Sequence, residues 1–240
     1  MKIPLIILPK FKKLLIIEKK YNSQNLIIPV GSDCHPAHSL QKLNIRTESF
    51  PFDWLNTNPL LGLTFVEHNI RNNFKYFISD LAVNEKGQIV SKTYPYAEFV
   101  HEKDLIDNRI TAIKIKKRIT RFMDSYNSRN CIFLYNIPST CLEDIKSLKA
   151  FLHSVISFAN FIKKNDKLAI YIRYDESCDE NKLHCDELYN ELHLLKNVSI
   201  TKYIRKLEKY GIWGDEKGYP KLFANLGLNI NLTFPRIYIR

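Results

Sequence analysis

Apolar runs alternate with amphipathic segments through the second half of the chain, and this alternation limits the possible folds more than any other feature. Three runs predict buried strands, at 131–135, 168–172 and 198–203. Two helical patterns lie between them, at 141–164 and 183–195. Strands that are apolar throughout and joined by helices are typical of a parallel sheet. We therefore predict an α/β fold, with residues 1–240 forming a single domain around a central, largely parallel sheet flanked by helices.

The same order of strand and helix occurs earlier, in the segment 26–54. Residues 26–30 form an apolar run, Gly31 ends it, and an amphipathic segment follows Cys34. Cys34 is therefore predicted at the N-terminus of a helix that leaves a strand. The positive end of a helix dipole favours a thiolate, which is the nucleophilic form of cysteine. Free N–H groups of the same turn could hold an oxyanion. A buried structural cysteine is the alternative that the residues alone leave open.

Two blocks of sequence resemble a known family. The first follows the pattern G-S-x-C-x-x-A-x-x-L, then L-x-I-R, then S-F-P-F-D-W, at Gly31, Ser32, Cys34, Ala37, Leu40, Leu43, Ile45, Arg46, Ser49, Pro51, Phe52, Asp53 and Trp54. The second is Phe99-Val100-His101, followed by a basic helical segment at 117–122. Over roughly residues 26 to 175, the chain resembles a bacterial family of unknown function described as papain-like cysteine peptidases. Glu102 stands where the family has Asp, and Thr120 interrupts its basic run.

This resemblance implies a cysteine-dependent hydrolase of acyl or amide bonds, with Cys34 as nucleophile and His101 as base. It also makes a papain-like α+β arrangement the alternative fold. Asp53, between two large aromatic residues, is expected either to orient His101 or to pair with Arg46. We expect the substrate-binding residues to be Ser32, Asp33, His35, His38, Arg46, Trp54 and Asn136.

Other functions remain open at this stage. Some papain-like relatives resemble acyltransferases of bacterial surface-polysaccharide biosynthesis, and coenzyme A would then be the acyl donor. A glycan-processing enzyme in which Asp53 carries the chemistry is a further alternative. No other cofactor is expected, because the chain has only 7 glycines and no phosphate-cradling glycine-rich loop.

The formal net charge of +11 favours anionic partners. We expect a small-molecule, glycan or peptide substrate that carries negative charge. A nucleic-acid-binding module is a weaker alternative, since the charge supports it but no recognition motif is legible. Apolar residues among lysines near the N-terminus leave peripheral membrane contact open.

The five cysteines give an odd count and no disulfide framework, which favours a reducing compartment. The expected location is the cytoplasm, including the inner surface of the membrane, because no signal peptide or membrane span is legible. Two clusters resemble metal ligands, Cys34/His35/His38 and Cys178/His184/Cys185, but neither has the paired spacing of a zinc site. No metal is predicted.

Overall fold

The structure, a computed structural model, describes residues 2–8, 11–92, 97–176 and 182–239. Its strands are β1 (Lys2–Leu8), β2 (Phe11–Ser23), β3 (Leu26–Pro29), β4 (Asn56–Thr57), β5 (Leu81–Val83), β6 (Ile89–Ser91), β7 (Ala97–Phe99), β8 (Cys131–Pro138), β9 (Lys167–Tyr174), β10 (Val198–Ile204) and β11 (Ile230–Ile239). Its helices are α1 (His35–Lys42), α2 (Gly62–Arg71), α3 (Arg109–Ser128), α4 (Ile145–Phe161), α5 (Lys182–His193), α6 (Leu207–Tyr210) and α7 (Tyr219–Asn225). None of the helices in the described ranges has the length and apolarity needed to cross a membrane.

The centre of the fold is a parallel sheet of four strands in the order β10–β9–β8–β3. Phe133 of β8 is paired with Ile28 of β3 on one side and with Leu168 of β9 on the other. The prediction of a parallel sheet flanked by helices is therefore confirmed. The strands are apolar throughout because helices cover both faces of the sheet.

Alternate residues of each strand belong to two different layers of the core. Phe133 and Ile170 face the larger layer, which includes buried residues of α2, α3, α4 and α5. Leu134 and Tyr171 face the smaller layer, with Leu40 of α1 and residues of α7. This alternation is the period of two expected of a strand.

Two antiparallel sheets accompany the parallel one. One has the order β4–β7–β6–β5, and its strands β5 and β6 form a hairpin. The other has the order β1–β2–β11 and joins residues near the two ends of the described chain. The 13 residues of β2 were not expected as one strand, and β11 was not anticipated at all.

The starts of α3 and α4 are set by their local residues. Asn108 caps α3, because its side chain accepts from the N–H groups of Ile110 and Thr111. Ile110 and Ile113 are 65% and 41% exposed, since α3 buries only a narrow stripe along its length. The next helix begins at Ile145 rather than near 141, because a 3₁₀ turn occupies Ser139–Cys141 first.

Candidate active site

Cys34 lies where β3 gives way to α1, at the carboxyl edge of the parallel sheet. It is the N-cap residue of α1, and its carbonyl accepts the first helical hydrogen bond from His38 N at 3.0 Å. The chain passes so close to its neighbours before this turn that a Cβ on Gly31 would lie 2.4 Å from both Asn136 Oδ1 and Pro36 Cγ. Glycine is therefore required there, and the strand–turn–helix placement predicted for Cys34 is confirmed.

His101 lies two residues after β7, a strand of the antiparallel sheet β4–β7–β6–β5, and approaches Cys34 from that side. Its Nε2 lies 3.6 Å from Cys34 Sγ, although 67 residues separate the two in sequence. The Trp54 ring meets the His101 ring edge-on, with 5.5 Å between the ring centroids. The predicted proximity of the thiol and the imidazole is thus present. No carboxylate of the described residues hydrogen-bonds to His101.

The Cys34 thiol is protonated in the resting site. Burial, together with the carboxylates of Asp33 and Glu102, raises its pKa to about 11. The expectation that the helix N-terminus would favour a resting thiolate was therefore wrong. The partial charge of one helix end is small, about half a charge, and here it is opposed by desolvation and two carboxylates.

Asp33 fixes the turn that carries Cys34. Its Oδ1 accepts from His35 N at 2.9 Å and from Asn136 Nδ2 at 3.1 Å, and its Oδ2 pairs with Arg173 Nη1 at 2.6 Å. Burial acts to raise the pKa of Asp33, but the Arg173 guanidinium and the His35 N–H outweigh burial and lower it. Asp33 is therefore an anion whose bonds are directed into the protein.

Sequence reasoning missed Arg173. Its signal in the sequence is an arginine that interrupts the apolar run of β9, and the structure shows that Arg173 is only 9% exposed. A buried charge in a strand requires a partner.

Glu102 forms a second buried ion pair beside Cys34. It is 9% exposed, and its Oε1 accepts from Arg118 Nη1 at 2.7 Å. The basic helical segment of the second sequence block thus supplies the partner of the residue that follows His101. A neighbouring arginine of the same helix, Arg121, donates to the carbonyl of Ser49 at 2.7 Å and ties α3 to the loop that carries Trp54.

Asp53 pairs with Arg46, and none of its hydrogen bonds within the described residues goes to His101. It is 1% exposed, and its Oδ2 accepts from Arg46 and from Phe50 N at 3.0 Å, whereas Oδ1 has no partner in the described part of the chain. Burial outweighs Arg46 and raises the pKa of Asp53 to about 6. Of the two roles left open by the sequence, loop fixing is the one the geometry supports. Its burial also leaves Asp53 out of reach of a glycan.

The loop held by Asp53 presents the aromatic neighbour of His101. Arg46 also donates to Ser49 Oγ at 2.8 Å, and its guanidinium carbon lies 5.3 Å from the centroid of the Trp54 ring. A line of contacts therefore runs from Asp53 through Arg46 and Trp54 to His101.

The two histidines near Cys34 have other partners. His35 is 1% exposed; its Nε2 donates to Trp213 O at 3.2 Å, so its Nδ1 accepts from Tyr171 O–H at 2.6 Å. Burial lowers the pKa of His35 to about 3 and keeps the ring neutral. His38 stacks on Trp213 with 3.8 Å between centroids and contacts Glu216. Trp213 was not anticipated from the sequence, and among the described residues neither histidine hydrogen-bonds to the Cys34 thiol.

Three buried polar atoms around this turn have no hydrogen-bond partner within the described residues: Ser32 Oγ, Asn136 Oδ1 and Arg173 Nε. The arrangement thus retains some polar capacity beside the thiol. No three side chains of His, Cys, Asp or Glu come together as a metal site among the residues described. Cys178, one of the sequence candidates, lies outside those residues.

Comparisons with known proteins identify the family of this chain. Residues 25–207 match the sequence profile of the family described as "Putative papain-like cysteine peptidase". A curated relative, "Uncharacterized protein R408" of Acanthamoeba polyphaga mimivirus, is 39% identical over 56 residues, which is 23% of this chain and 24% of that protein. The match therefore spans about a quarter of the relative's length. No solved structure matches the chain. Because the profile covers more than half of the sequence, the chain belongs to the family of putative papain-like cysteine peptidases.

Proposed function

We propose that this protein is a cysteine-dependent enzyme that attacks acyl or amide bonds, with Cys34 as nucleophile and His101 as general base. The observation that carries the proposal is the 3.6 Å between Cys34 Sγ and His101 Nε2. A nucleophile and a base from separate elements meet there at the carboxyl edge of a parallel sheet, where active sites of such folds collect. The family membership supports the same reaction class.

The raised pKa of Cys34 decides how the first step proceeds. The thiol proton passes to His101 Nε2 as Sγ bonds to the substrate carbonyl carbon, whose π electrons move to the oxygen. The tetrahedral intermediate then collapses, the C–N bond of an amide, the C–O bond of an ester or the C–S bond of a thioester breaks, and His101 returns the proton to the leaving group. The product of this half-reaction is a thioester on Cys34.

The donors available to the oxyanion are fewer than the sequence suggested. The N–H of His35 is already bonded to Asp33, and Pro36 has no N–H. The N–H groups of Cys34 and Ala37 remain at this turn. They are the donors we propose for the developing negative charge.

The second half-reaction transfers the acyl group to water or to a hydroxyl of an acceptor. The net charge of +11 favours an anionic substrate, such as a phosphorylated acyl donor or a sugar carrying negative charge. Coenzyme A thioesters belong to this class, so the proposal includes an acyltransferase of polysaccharide biosynthesis as its second form.

Intact-mass spectrometry after incubation with acyl donors tests the proposal. The donors are an activated ester, an acyl-coenzyme A and an acylated peptide amide, and the variants are Cys34→Ala, His101→Ala and Cys141→Ser. Cys141 is the matched control, because it is also a half-buried free thiol. We expect a single acyl adduct on Cys34 in the wild type and in Cys141→Ser. His101→Ala should form it about 10²- to 10⁴-fold more slowly.

Acylation that persists in Cys34→Ala, or that falls equally on Cys141, would overturn the proposal. Loss of the adduct in water distinguishes a hydrolase from a transferase, whose adduct should decay only when an acceptor hydroxyl is added. Polynucleotide binding that weakens steeply with salt and is unaffected by Cys34→Ala would instead support the nucleic-acid-binding alternative.

A further inference from the structure

The sheet β1–β2–β11 exposes an apolar face that lies apart from the candidate active site. Cross-strand pairing places Ile3, Leu15 and Ile239 in one row and Ile17 and Ile237 in the next. Paired residues point to the same face, as do residues two apart along a strand, so the two rows are neighbours on one face. Ile237 and Ile239 are 58% and 59% exposed.

Lysines bracket these apolar rows. Lys13 and Lys19 lie two residues beyond Leu15 and Ile17, so the alternation of β2 puts both on the same face. The acidic residue of β2, Glu18, pairs across the sheet with Arg236 and belongs to the opposite face. Among the described residues, the two rows and the lysines beside them include no Asp or Glu. The face is therefore apolar in the middle and positive at both ends.

The edges of this sheet are unsuited to strand addition. Each outer strand carries a proline, Pro4 in β1 and Pro235 in β11, and the register shifts beside each one. Proline has no N–H to donate, and such irregularities protect sheet edges from pairing with other chains. A partner is therefore expected on the face and not along an edge.

Charge decides between the two occupants that would cover an apolar face. Two copies of the chain meeting face to face would bring lysines of equal charge together, which opposes association. An anionic lipid surface neutralises the same lysines while its acyl region takes up the isoleucines.

We propose that this face of β1–β2–β11 docks on an anionic bilayer surface. The three strands are almost entirely outside residues 25–207, so the proposal is independent of the family's matched segment and of the reaction at Cys34. Each lysine near an anionic surface strengthens binding by about fivefold, and the buried isoleucines add a contribution that does not depend on salt.

Co-sedimentation of the full chain with vesicles tests this proposal. Phosphatidylcholine vesicles are compared with vesicles that also contain phosphatidylserine, at several salt concentrations. Binding should require phosphatidylserine and weaken as salt rises. Lys13→Gln with Lys19→Gln should weaken it about 25-fold, and Ile237→Ser with Ile239→Ser should reduce it at every salt concentration. The matched control is Ile110→Ser with Lys114→Gln on α3, where Ile110 is 65% exposed, and it should bind like the wild type.

A second measurement does not depend on loss of binding. Ile239→Trp places a fluorophore in the row, and brominated lipid should quench it in vesicles that contain phosphatidylserine. The proposal is overturned if the wild type binds none of these vesicles, if the control variant loses binding as much as the sheet variants, or if Ile239→Trp is not quenched. A dimer that Ile237→Ser with Ile239→Ser dissociates would show that a second copy covers the face.

Discussion

Arg46 donates to a single oxygen of Asp53 through two nitrogens, Nε at 2.9 Å and Nη2. The pair is enclosed, since the Asp53 side chain has no exposed surface and that of Arg46 is 15% exposed. Removing one member of a buried pair leaves the other charge without compensation. We therefore expect the loss of this pair to lower the free energy of unfolding more than it affects the reaction.

Arg46→Ala should destabilise the protein by about 3–5 kcal/mol, because it strands the Asp53 carboxylate in an apolar loop. Lys202→Ala is the matched control: it removes a pair with Asp186 that is exposed on both sides, and should cost less than about 1 kcal/mol. Chemical denaturation of the wild type and both variants measures the two values. Equal losses of unfolding free energy in the two variants would show that enclosure does not increase the contribution of the Arg46–Asp53 pair to stability.

The raised pKa of Asp53 predicts a particular dependence of stability on pH. The folded protein holds this proton up to about pH 6, while the unfolded chain releases it near the ordinary value of 3.8. Asp53 therefore contributes stability below about pH 4 that is lost as the pH rises through 6. The difference in unfolding free energy between the wild type and Asp53→Asn should fall by about 3 kcal/mol over that range.

Unfolding curves of the wild type and Asp53→Asn, recorded at about pH 4, 5, 6 and 7 to cover the predicted transition, measure this difference. Asp80→Asn, at an exposed position, serves as the control for a carboxylate-to-amide change. A difference that rises with pH would mean that Arg46 dominates over burial and lowers the pKa of Asp53.

Much of the fold was legible in the sequence because the signals were local. The apolar runs that became β8, β9 and β10 are long and continuous, and the break after β3 is marked by glycine. The three-stranded sheet was not legible in the same way. Its pairing of β2 with β11 joins residues about 220 positions apart, and no local pattern specifies such a partner.

The candidate site shows the same difference between local and long-range signals. Cys34 and His101 were identified from short blocks, but the partners that set their chemistry come from elsewhere in the chain. Arg173 bonds to Asp33, 140 residues away in sequence, and Arg118 of α3 bonds to Glu102, 16 residues away. Local sequence suggested a reactive thiolate, whereas burial and the carboxylates of Asp33 and Glu102 raise the pKa of the Cys34 thiol and keep it protonated.

Trp54 is predicted to position His101 without contacting the reacting atoms. Trp54→Ala removes the ring that packs edge-on against the imidazole and should slow acylation of Cys34 by up to about 10²-fold, since small misplacements of a catalytic group have effects of that size. Trp54→Phe keeps an aromatic edge and should restore most of the rate. A purely structural role would instead lower the melting temperature of both variants and leave the rate per folded molecule unchanged.

Glu102 tests whether the resting thiol is held protonated by its surroundings. The Glu102 carboxylate is among the groups that raise the pKa of Cys34, so Glu102→Gln should lower that pKa and speed alkylation by iodoacetamide at neutral pH. In the wild type the alkylation rate of Cys34, followed by peptide mass spectrometry, should climb steadily from pH 6 to 9 because the pKa lies near 11. Glu98→Gln, on β7 before His101, is the control and should follow the wild-type profile. A rate that is already level below pH 7 would reveal a preformed thiolate–imidazolium pair, and the proton transfer to His101 would then precede substrate binding instead of accompanying attack.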